Sequence, residues 1–233
     1  MSESSTQQAD ITRWFDETYA NKGARYLRPL AAYRVMPLLM QLEPQHSLLD
    51  VACGLGLMLQ AGSECGASVS GVDISSMAAQ GAAARVPEAQ VSRASAESLP
   101  FSDHSFGRLS CLGSLERMLQ PDVALHEMRR VLTPSGKALI MVRNSKTLTW
   151  SIKSQLGLVN QQGHQGADTL ENWRHRLLQA GLQIEAIHYD QWPLFRWQYW
   201  LGRYLGWVPR TRIRRGPLPI RYANEFIFVC SVC

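Results

Sequence analysis

Long apolar runs are absent from this chain of 233 residues. It has no stretch of about 18 uninterrupted apolar residues, the length of a membrane-spanning helix, so no such helix is expected. The opening segment MSESSTQQAD is polar and lacks the apolar centre of a secretory signal. We therefore expect residues 1–12 to form a flexible tail and the protein to be cytoplasmic.

The cysteines lack the pattern of a disulfide framework or of a zinc site. There are five of them, an odd number, and none is grouped with histidines at ligand spacing. Cys230 and Cys233 have Cys-x-x-Cys spacing, but they lie in an apolar run where packing is the simpler interpretation. We expect no bound metal and a reducing compartment.

Acidic residues are missing from residues 191–221, which hold seven arginines and four of the seven tryptophans. The formal net charge of +5 is therefore local to this segment rather than a property of the whole surface. Three interpretations stay open. They are a lid packed on the sheet, a contact with an anionic membrane surface, and a binding site for an anionic macromolecule. Nucleic acid is not the expected partner, because no recognised RNA-binding module accompanies the arginines.

Short apolar runs alternate with helical patterns along most of the chain. Such alternation is typical of right-handed crossovers in a mostly parallel sheet. We predict a Rossmann-like α/β fold with seven strands, helices on both faces and an antiparallel last strand. The predicted strands are SLLDVA, ASVSGVDIS, AQVSRAS, FGRLSCLGS, KALIMVRN, LQIEAIHYD and EFIFVCSV.

A single domain over residues 1–233 is expected, with two additions to the core. Two N-terminal helices are predicted, one beginning at Asp10 and one over residues 27–44. The predicted parts are a tail (1–12), a helical cap (13–45), a core (46–190), an aromatic and arginine-rich insertion (191–222) and a final strand (223–233).

The stretch HSLLDVACGLGLML places an acid and two glycines at the end of the first predicted strand. In open parallel sheets, ligands bind at this edge, and glycines let the backbone approach them closely. Asp73 ends the second predicted strand, where an acid accepts ribose hydroxyls. A dinucleotide site would want a third glycine where Leu59 stands, so Asp50, Gly54, Gly56 and Asp73 fit an amino-acid nucleoside better. The alternatives are that Asp50 caps the next helix and that Asp73 is an ordinary turn acid.

Four motifs in order resemble class I S-adenosylmethionine-dependent methyltransferases, most closely the branch of quinone and small-molecule methyltransferases. They are LLDVACGLG, GVDIS, ASAESLPFSDHSFG and CLGSLERMLQPDVALHEMRRVLTPSGKALI. The resemblance runs from about residue 10 to residue 143, and it implies S-adenosyl-L-methionine as the cofactor.

The resemblance also implies a cofactor-binding role for each matching position. Contacts with the methionine part fall to Asp50 and to the backbone of Ala52, Cys53, Gly54 and Gly56. Contacts with the ribose and adenine fall to Asp73, Ile74, Ala96 and Glu97. Cys111 and Leu112 would lie beneath the sulfonium, and Tyr19 would cover the cofactor. The aromatic ring of Tyr19 could also favour the sulfonium cation.

Three positions depart from the family's pattern. Ala52 replaces a usual glycine, which is tolerable if its backbone angles are ordinary. Ser95 replaces a common aspartate, so contacts with the adenine are expected to be weaker. Arg117 replaces a frequent histidine, so no histidine base is assumed, and the weak candidates for catalysis are Glu116 and Arg117.

The expected function is methyl transfer from S-adenosylmethionine to a small, lipophilic or aromatic acceptor by in-line displacement. This reaction needs mainly alignment and desolvation, and it needs a base only if the acceptor must lose a proton. Two alternatives are methylation of RNA or protein held by the arginine-rich segment, and binding of S-adenosylmethionine without methyl transfer.

Overall fold

The computed structural model describes residues 3–158, 166–190, 220 and 223–233. The predicted aromatic and arginine-rich insertion therefore lies outside the described residues, apart from Ile220. Within the described ranges, no helix is both long enough and apolar enough to cross a bilayer.

The core is one seven-stranded sheet, which confirms the predicted fold. Its strand order is β3-β2-β1-β4-β5-β7-β6. Adjacent strands in the part of the sheet that runs β3-β2-β1-β4-β5 pair in parallel. β7 pairs antiparallel with both β5 and β6. The strands are β1 (Ser47–Val51), β2 (Ser68–Asp73), β3 (Gln90–Arg93), β4 (Phe106–Leu112), β5 (Leu132–Arg143), β6 (Leu182–Tyr189) and β7 (Glu225–Val232).

Eight α-helices lie in the described part of the chain. They are α1 (Glu3–Lys22), α2 (Leu30–Tyr33), α3 (Met36–Leu39), α4 (Leu57–Ser63), α5 (Ser76–Arg85), α6 (Pro121–Val131), α7 (Leu148–Gln155) and α8 (Leu170–Gln179). Successive residues of β5 belong to different core clusters. Ile140 packs in a cluster with α6 and α8, and Leu139 packs in one with α3, α4 and α5. Because side chains alternate across a strand, the sheet is covered on both faces.

The N-terminal helix begins earlier than predicted. Helix α1 starts at Glu3, so the helix start predicted at Asp10 is wrong, and residues 3–12 of the predicted tail lie in this helix. Ile11 and Thr12 are buried, and the Thr12 hydroxyl donates 2.9 Å to the Gln8 carbonyl within the helix. Tertiary packing extends the helix through a segment whose polar sequence predicts fraying.

The helix predicted over residues 27–44 is broken into two single turns, α2 and α3. Pro37 lies at the start of α3 and has no amide hydrogen to donate back into the preceding turn. By contrast, α7 has no counterpart in the prediction. It begins where the Thr147 hydroxyl accepts a hydrogen bond from the Trp150 amide at 3.3 Å, an ordinary N-cap.

Strand direction decides which residues meet at one edge of the sheet. β1, β2, β4 and β5 are parallel, so their carboxyl ends share that edge. β7 runs the other way, so it brings its first residue, Glu225, opposite Arg143, the last residue of β5. This edge carries the residues of the candidate site.

Candidate active site

Asp50 places a buried carboxylate near the end of β1. It is 4% exposed and lines a cavity at the edge of the sheet. The Ser110 hydroxyl on β4 donates to its Oδ1 at 2.7 Å. Burial raises the pKa of Asp50 to about 7, although the Ser110 hydrogen bond opposes the shift. A cation placed beside it would therefore stabilise the ionised form.

Asp73 ties the turn after β1 to the end of β2. Its Oδ2 accepts from the Gly54 amide at 2.8 Å, and its Oδ1 accepts from the Ser75 amide at 2.9 Å. Burial raises the pKa of Asp73 to about 6, and these amides act against the rise. A carboxylate accepts several hydrogen bonds, so the residue both holds the turn and presents acceptor capacity to a ligand.

The turn itself has a left-handed backbone at three positions, Ala52, Gly54 and Gly56. Ala52 has φ 58°, so the condition that its backbone angles be ordinary is not met. Gly54 has φ 53°, and a Cβ there would lie 2.9 Å from the Tyr19 hydroxyl oxygen. Position 54 therefore needs glycine both for its angle and for the close approach of Tyr19.

Gly56 serves packing rather than the cavity. It begins α4 with φ 76°, and a Cβ at this position would lie 3.0 Å from the Ala82 backbone on α5. This glycine lets two helices approach closely. It is not among the residues that line either of the two cavities described below.

The first of these cavities, here called the helix-covered cavity, lies between α1 and the ends of β1, β2 and β3. Its volume is about 580 Å³, open solvent included. It holds several predicted cofactor residues, among them Ile74, Ala96 and Glu97. The full lining is Gln8, Ile11, Phe15, Tyr19, Ala52, Asp73, Ile74, Ala94, Ser95, Ala96, Glu97, Ser114, Arg117 and Met118.

A polar contact fixes α1 over this cavity. The Ser75 hydroxyl donates to Asp16 Oδ1 at 2.5 Å, and the Met77 amide donates to the same oxygen at 3.2 Å. Asp16 thereby joins α1 to the first turn of α5. Burial opposes the ionised form, but these hydrogen bonds hold the pKa of Asp16 below its ordinary value.

The second cavity, here called the charged cavity, continues from the first along the edge of the sheet. Its volume is about 830 Å³, open solvent included, and it shares five lining residues with the helix-covered cavity, including Tyr19, Ala52 and Ser114. The full lining is Phe15, Tyr19, Tyr26, Leu27, Arg28, Tyr33, Asp50, Ala52, Cys53, Gly54, Leu57, Leu112, Gly113, Ser114, Arg117, Met141, Arg143 and Glu225.

One wall of the charged cavity carries a group of ion pairs. Arg28 donates to Asp190 Oδ1 at 3.0 Å and also forms an ion pair with Glu225. Arg143 lies 3.8 Å from Glu225 Oε1 and 3.9 Å from Glu116 Oε1. Two arginines and three carboxyl groups are thus gathered from positions far apart in the sequence.

Glu116, a weak candidate for catalysis, lies behind this wall. Its side chain is fully buried, it does not line either cavity, and its carboxylate oxygens have no hydrogen-bond partner among the described residues. Burial raises the pKa of Glu116 to about 7, and Arg143 only partly offsets this. Arg117, the other candidate, does line both cavities, and its guanidinium carbon lies 5.9 Å from the centre of the Phe15 ring.

One predicted cofactor position lies away from both cavities. Cys111 is fully buried in the core cluster and lines neither cavity. Its neighbour Leu112 does line the charged cavity, because successive side chains of a strand point to opposite faces.

The charged cavity also contains residues that sequence reasoning missed. Phe15, Arg28, Arg143 and Glu225 lie in no recognised motif, and their common site depends on the order and direction of the strands. The only signal in the sequence was that residue 143 is the penultimate residue of a predicted strand and residue 225 begins one.

The chain matches known methyltransferases in sequence. Residues 49–140 match the family described as "Methyltransferase domain". A ubiquinone biosynthesis O-methyltransferase from Alkalilimnicola ehrlichii is 32% identical over 151 residues, 62% of this chain and 61% of that protein. A demethylmenaquinone methyltransferase from Renibacterium salmoninarum is 32% identical over 97 residues, 42% of this chain and 41% of that protein. The chain therefore spans about two fifths to three fifths of the length of these relatives.

A solved structure matches nearly the whole chain in fold. It is the geranyl diphosphate C-methyltransferase from Streptomyces coelicolor A3(2), with a TM-score of 0.68 and 15% identity, covering 97% of this chain and 98% of that one. At this identity the likeness concerns the fold alone. Residues 49–140 are thus similar in sequence to the methyltransferase domain, and the described part of the chain has the fold of a solved methyltransferase.

Proposed function

We propose that the chain transfers the methyl group of S-adenosylmethionine to a small aromatic acceptor of the quinone-precursor type. The observation that carries the proposal is the continuity of the two cavities through Tyr19, Ala52 and Ser114. A long ligand spans both, with its nucleoside part under α1 and its amino-acid part at Asp50. The charged cavity beyond Leu112 is then left for an acceptor.

The residues present fit this cofactor. Asp50 is a buried carboxylate at the cavity, and it gains a partner if the ligand brings an ammonium group. Asp73 keeps lone pairs for the two ribose hydroxyls beyond those that its backbone amides use. Gly54 leaves a space that a Cβ would fill.

The adenine would lie in the helix-covered cavity between the side chains of Ile11 and Ile74. Ser95 lines this cavity and binds Glu97, through a 3.2 Å hydrogen bond from the Glu97 amide to the Ser95 hydroxyl. The Glu97 carboxylate also accepts from the Gln120 amide at 2.8 Å, so it is fixed at the adenine edge. A fixed carboxylate there supplies acceptors that the missing aspartate at position 95 would otherwise provide.

The cofactor, when bound, supplies an electrophilic methyl group on a sulfonium. The protein's own part is alignment and the exclusion of water. Phe15 and Tyr19 cover the junction of the cavities, and Leu112 and Met141 give the acceptor an apolar floor. Alignment of this kind carries most of the acceleration in a reaction that needs only in-line approach.

The relatives motivate the acceptor class. By their names they act in ubiquinone biosynthesis and on demethylmenaquinone. The acceptor side of this chain has an apolar floor, three tyrosines and ionic groups, which suits an aromatic ring that bears oxygens.

Two measurements test the proposal. Calorimetric titration with S-adenosylhomocysteine measures cofactor binding, and mass spectrometry with deuterated S-adenosylmethionine detects transfer to catechols and hydroquinones. We expect binding and a labelled methyl group on at least one acceptor. Binding without transfer to any aromatic, RNA or protein acceptor would favour the non-methylating alternative, and absence of binding would overturn the proposal.

A further inference from the structure

Arg143 differs from its neighbour Arg28 in how its guanidinium is neutralised. Arg28 makes direct ion-paired hydrogen bonds to Asp190 and Glu225. The nearest carboxylate oxygens to Arg143 are 3.8 and 3.9 Å away, beyond hydrogen-bond distance. Among the described residues, its one hydrogen-bond acceptor is the Gly166 carbonyl, at 3.5 Å. Most of its five N–H donors therefore have no protein acceptor in the described part of the chain.

The surroundings hold this guanidinium in one place. Its carbon lies 5.4 Å from the centre of the Trp150 ring, and its side chain is 18% exposed. The Trp173 indole nitrogen donates to the Arg143 carbonyl at 3.0 Å, which fixes the end of β5. Arg143 thus presents a positioned fork of donors to the charged cavity.

The charges around the cavity leave this fork for an anion. The negative charges of Asp190 and Glu225 balance the positive charges of Arg28 and Arg143. The proposed function assigns the carboxylate of Asp50 to the ammonium group of the cofactor. Glu116 is buried without a hydrogen-bond partner among the described residues, an environment that favours its neutral form. A bound sulfonium adds one more positive charge beside the acceptor.

We propose that Arg143 determines acceptor specificity by binding an anionic oxygen, a carboxylate or an ionised hydroxyl, on the aromatic acceptor. The inference rests on the proposed function, because it names the chemistry of the acceptor of that same site. Arg143 binds a carboxylate bidentately, or an ionised hydroxyl through N–H donors to its one oxygen, while the ring lies on Leu112 and Met141. Neutral aromatic compounds of the same shape lose these charge-assisted hydrogen bonds and bind more weakly.

The test separates cofactor binding from acceptor recognition. Each variant is first titrated with S-adenosylhomocysteine and then, when saturated, with benzoate, 4-nitrophenolate and neutral benzamide at mildly alkaline pH. The variants are Arg143→Gln, Arg143→Lys and Arg117→Gln, the last removing a different arginine of the same cavity. Unchanged binding of S-adenosylhomocysteine by Arg143→Gln shows that the cofactor site is intact.

We expect Arg143→Gln to weaken binding of at least one anion by about tenfold or more, since about 1.4 kcal/mol corresponds to a factor of ten. Benzamide binding should change less than about twofold on that scale, and Arg143→Lys should recover part of the anion affinity. Binding of benzoate alone identifies a carboxylate, and binding of 4-nitrophenolate alone identifies an ionised hydroxyl.

Two results would overturn the inference while leaving the proposed function standing. One is equal binding of both anions by the wild type and Arg143→Gln. The other is equal or tighter binding of benzamide than of both anions by the saturated wild type. Failure of the wild type to bind S-adenosylhomocysteine would overturn the proposed function instead.

Discussion

The helix-covered cavity and the charged cavity are built from different kinds of sequence. The first is made by short motifs at the ends of adjacent parallel strands, with α1 above them. The second takes Arg28, Arg143 and Glu225 from three distant parts of the chain. The helix-covered cavity is lined mostly by apolar groups, and the charged cavity has ion pairs along one wall. The difference indicates that the helix-covered cavity depends on local turns, whereas the charged cavity depends on strand register.

Asp50→Asn should have the largest effect, because Asp50 is the buried acid that lines the charged cavity. Removing one member of a buried ion pair costs about 3 kcal/mol or more, because the other charge is left buried and unpaired. S-adenosylhomocysteine should therefore bind to the variant at least about 100-fold more weakly. Calorimetry measures the change. Asp103→Asn, which alters an exposed acid in a salt bridge with Arg130, is the control and should bind like the wild type.

The affinity for S-adenosylhomocysteine should also depend on pH. In the free protein the pKa of Asp50 is raised to about 7, so below that value the carboxyl is protonated. A bound ammonium favours the ionised form, so the complex carries fewer protons than the free protein and affinity rises with pH. Asp73, with a pKa raised to about 6, acts in the same direction.

Calorimetric titration at a series of pH values checks this dependence. We expect affinity to rise by up to about tenfold per pH unit as pH approaches 7, and to level off above it. The slope should be much smaller in Asp50→Asn. A flat profile in the wild type would mean that Asp50 does not bind the ammonium.

A pair of glycine substitutions sharpens the role of the turn in the helix-covered half. Gly54 and Gly23 have similar φ values, 53° and 50°, but only at Gly54 would a Cβ meet Tyr19. Both alanine variants should lose about 1 kcal/mol of unfolding free energy from the left-handed backbone. Gly54→Ala alone should also bind S-adenosylhomocysteine about tenfold more weakly on the usual affinity scale. Equal binding by the two variants would contradict the close approach of Tyr19.

Ala52→Gly should have the smallest effect and the opposite sign. Ala52 has a φ of 58°, so glycine removes about 1 kcal/mol of strain and costs about half of that in unfolded-chain entropy. The variant should be more stable by about 0.5 kcal/mol in urea unfolding on the same basis. Ala83→Gly, on an exposed position of α5, should instead lose about 1 kcal/mol, the usual cost in a helix.

The fold could be predicted from sequence because most strands are short apolar runs, and β1, β2, β4 and β5 are each followed by a helix before the next strand. The turn residues Asp50, Gly54 and Asp73 could be placed for the same reason, since the ends of parallel strands share one edge. The N-terminal boundary could not, because residues 3–12 are polar and become helical through contacts with distant segments.

The ion-paired wall of the charged cavity was not predicted because no local pattern marks it. Arg143 and Glu225 are opposite each other only because β7 runs antiparallel to β5. Arg28 joins them through ion pairs with residues more than 160 positions away. Cys111 is buried while its neighbour Leu112 lines the charged cavity, since a shift of one residue along a strand changes the face on which a side chain lies.

The most direct test of the account is to titrate the wild type and Asp50→Asn with two ligands, S-adenosylhomocysteine and 5′-methylthioadenosine. The second keeps the adenine, ribose and sulfur but lacks the amino-acid part. If the helix-covered cavity holds the nucleoside and Asp50 holds the ammonium, Asp50→Asn weakens only S-adenosylhomocysteine and binds 5′-methylthioadenosine like the wild type. Equal losses for both ligands, or no loss for either, would contradict this division of the site.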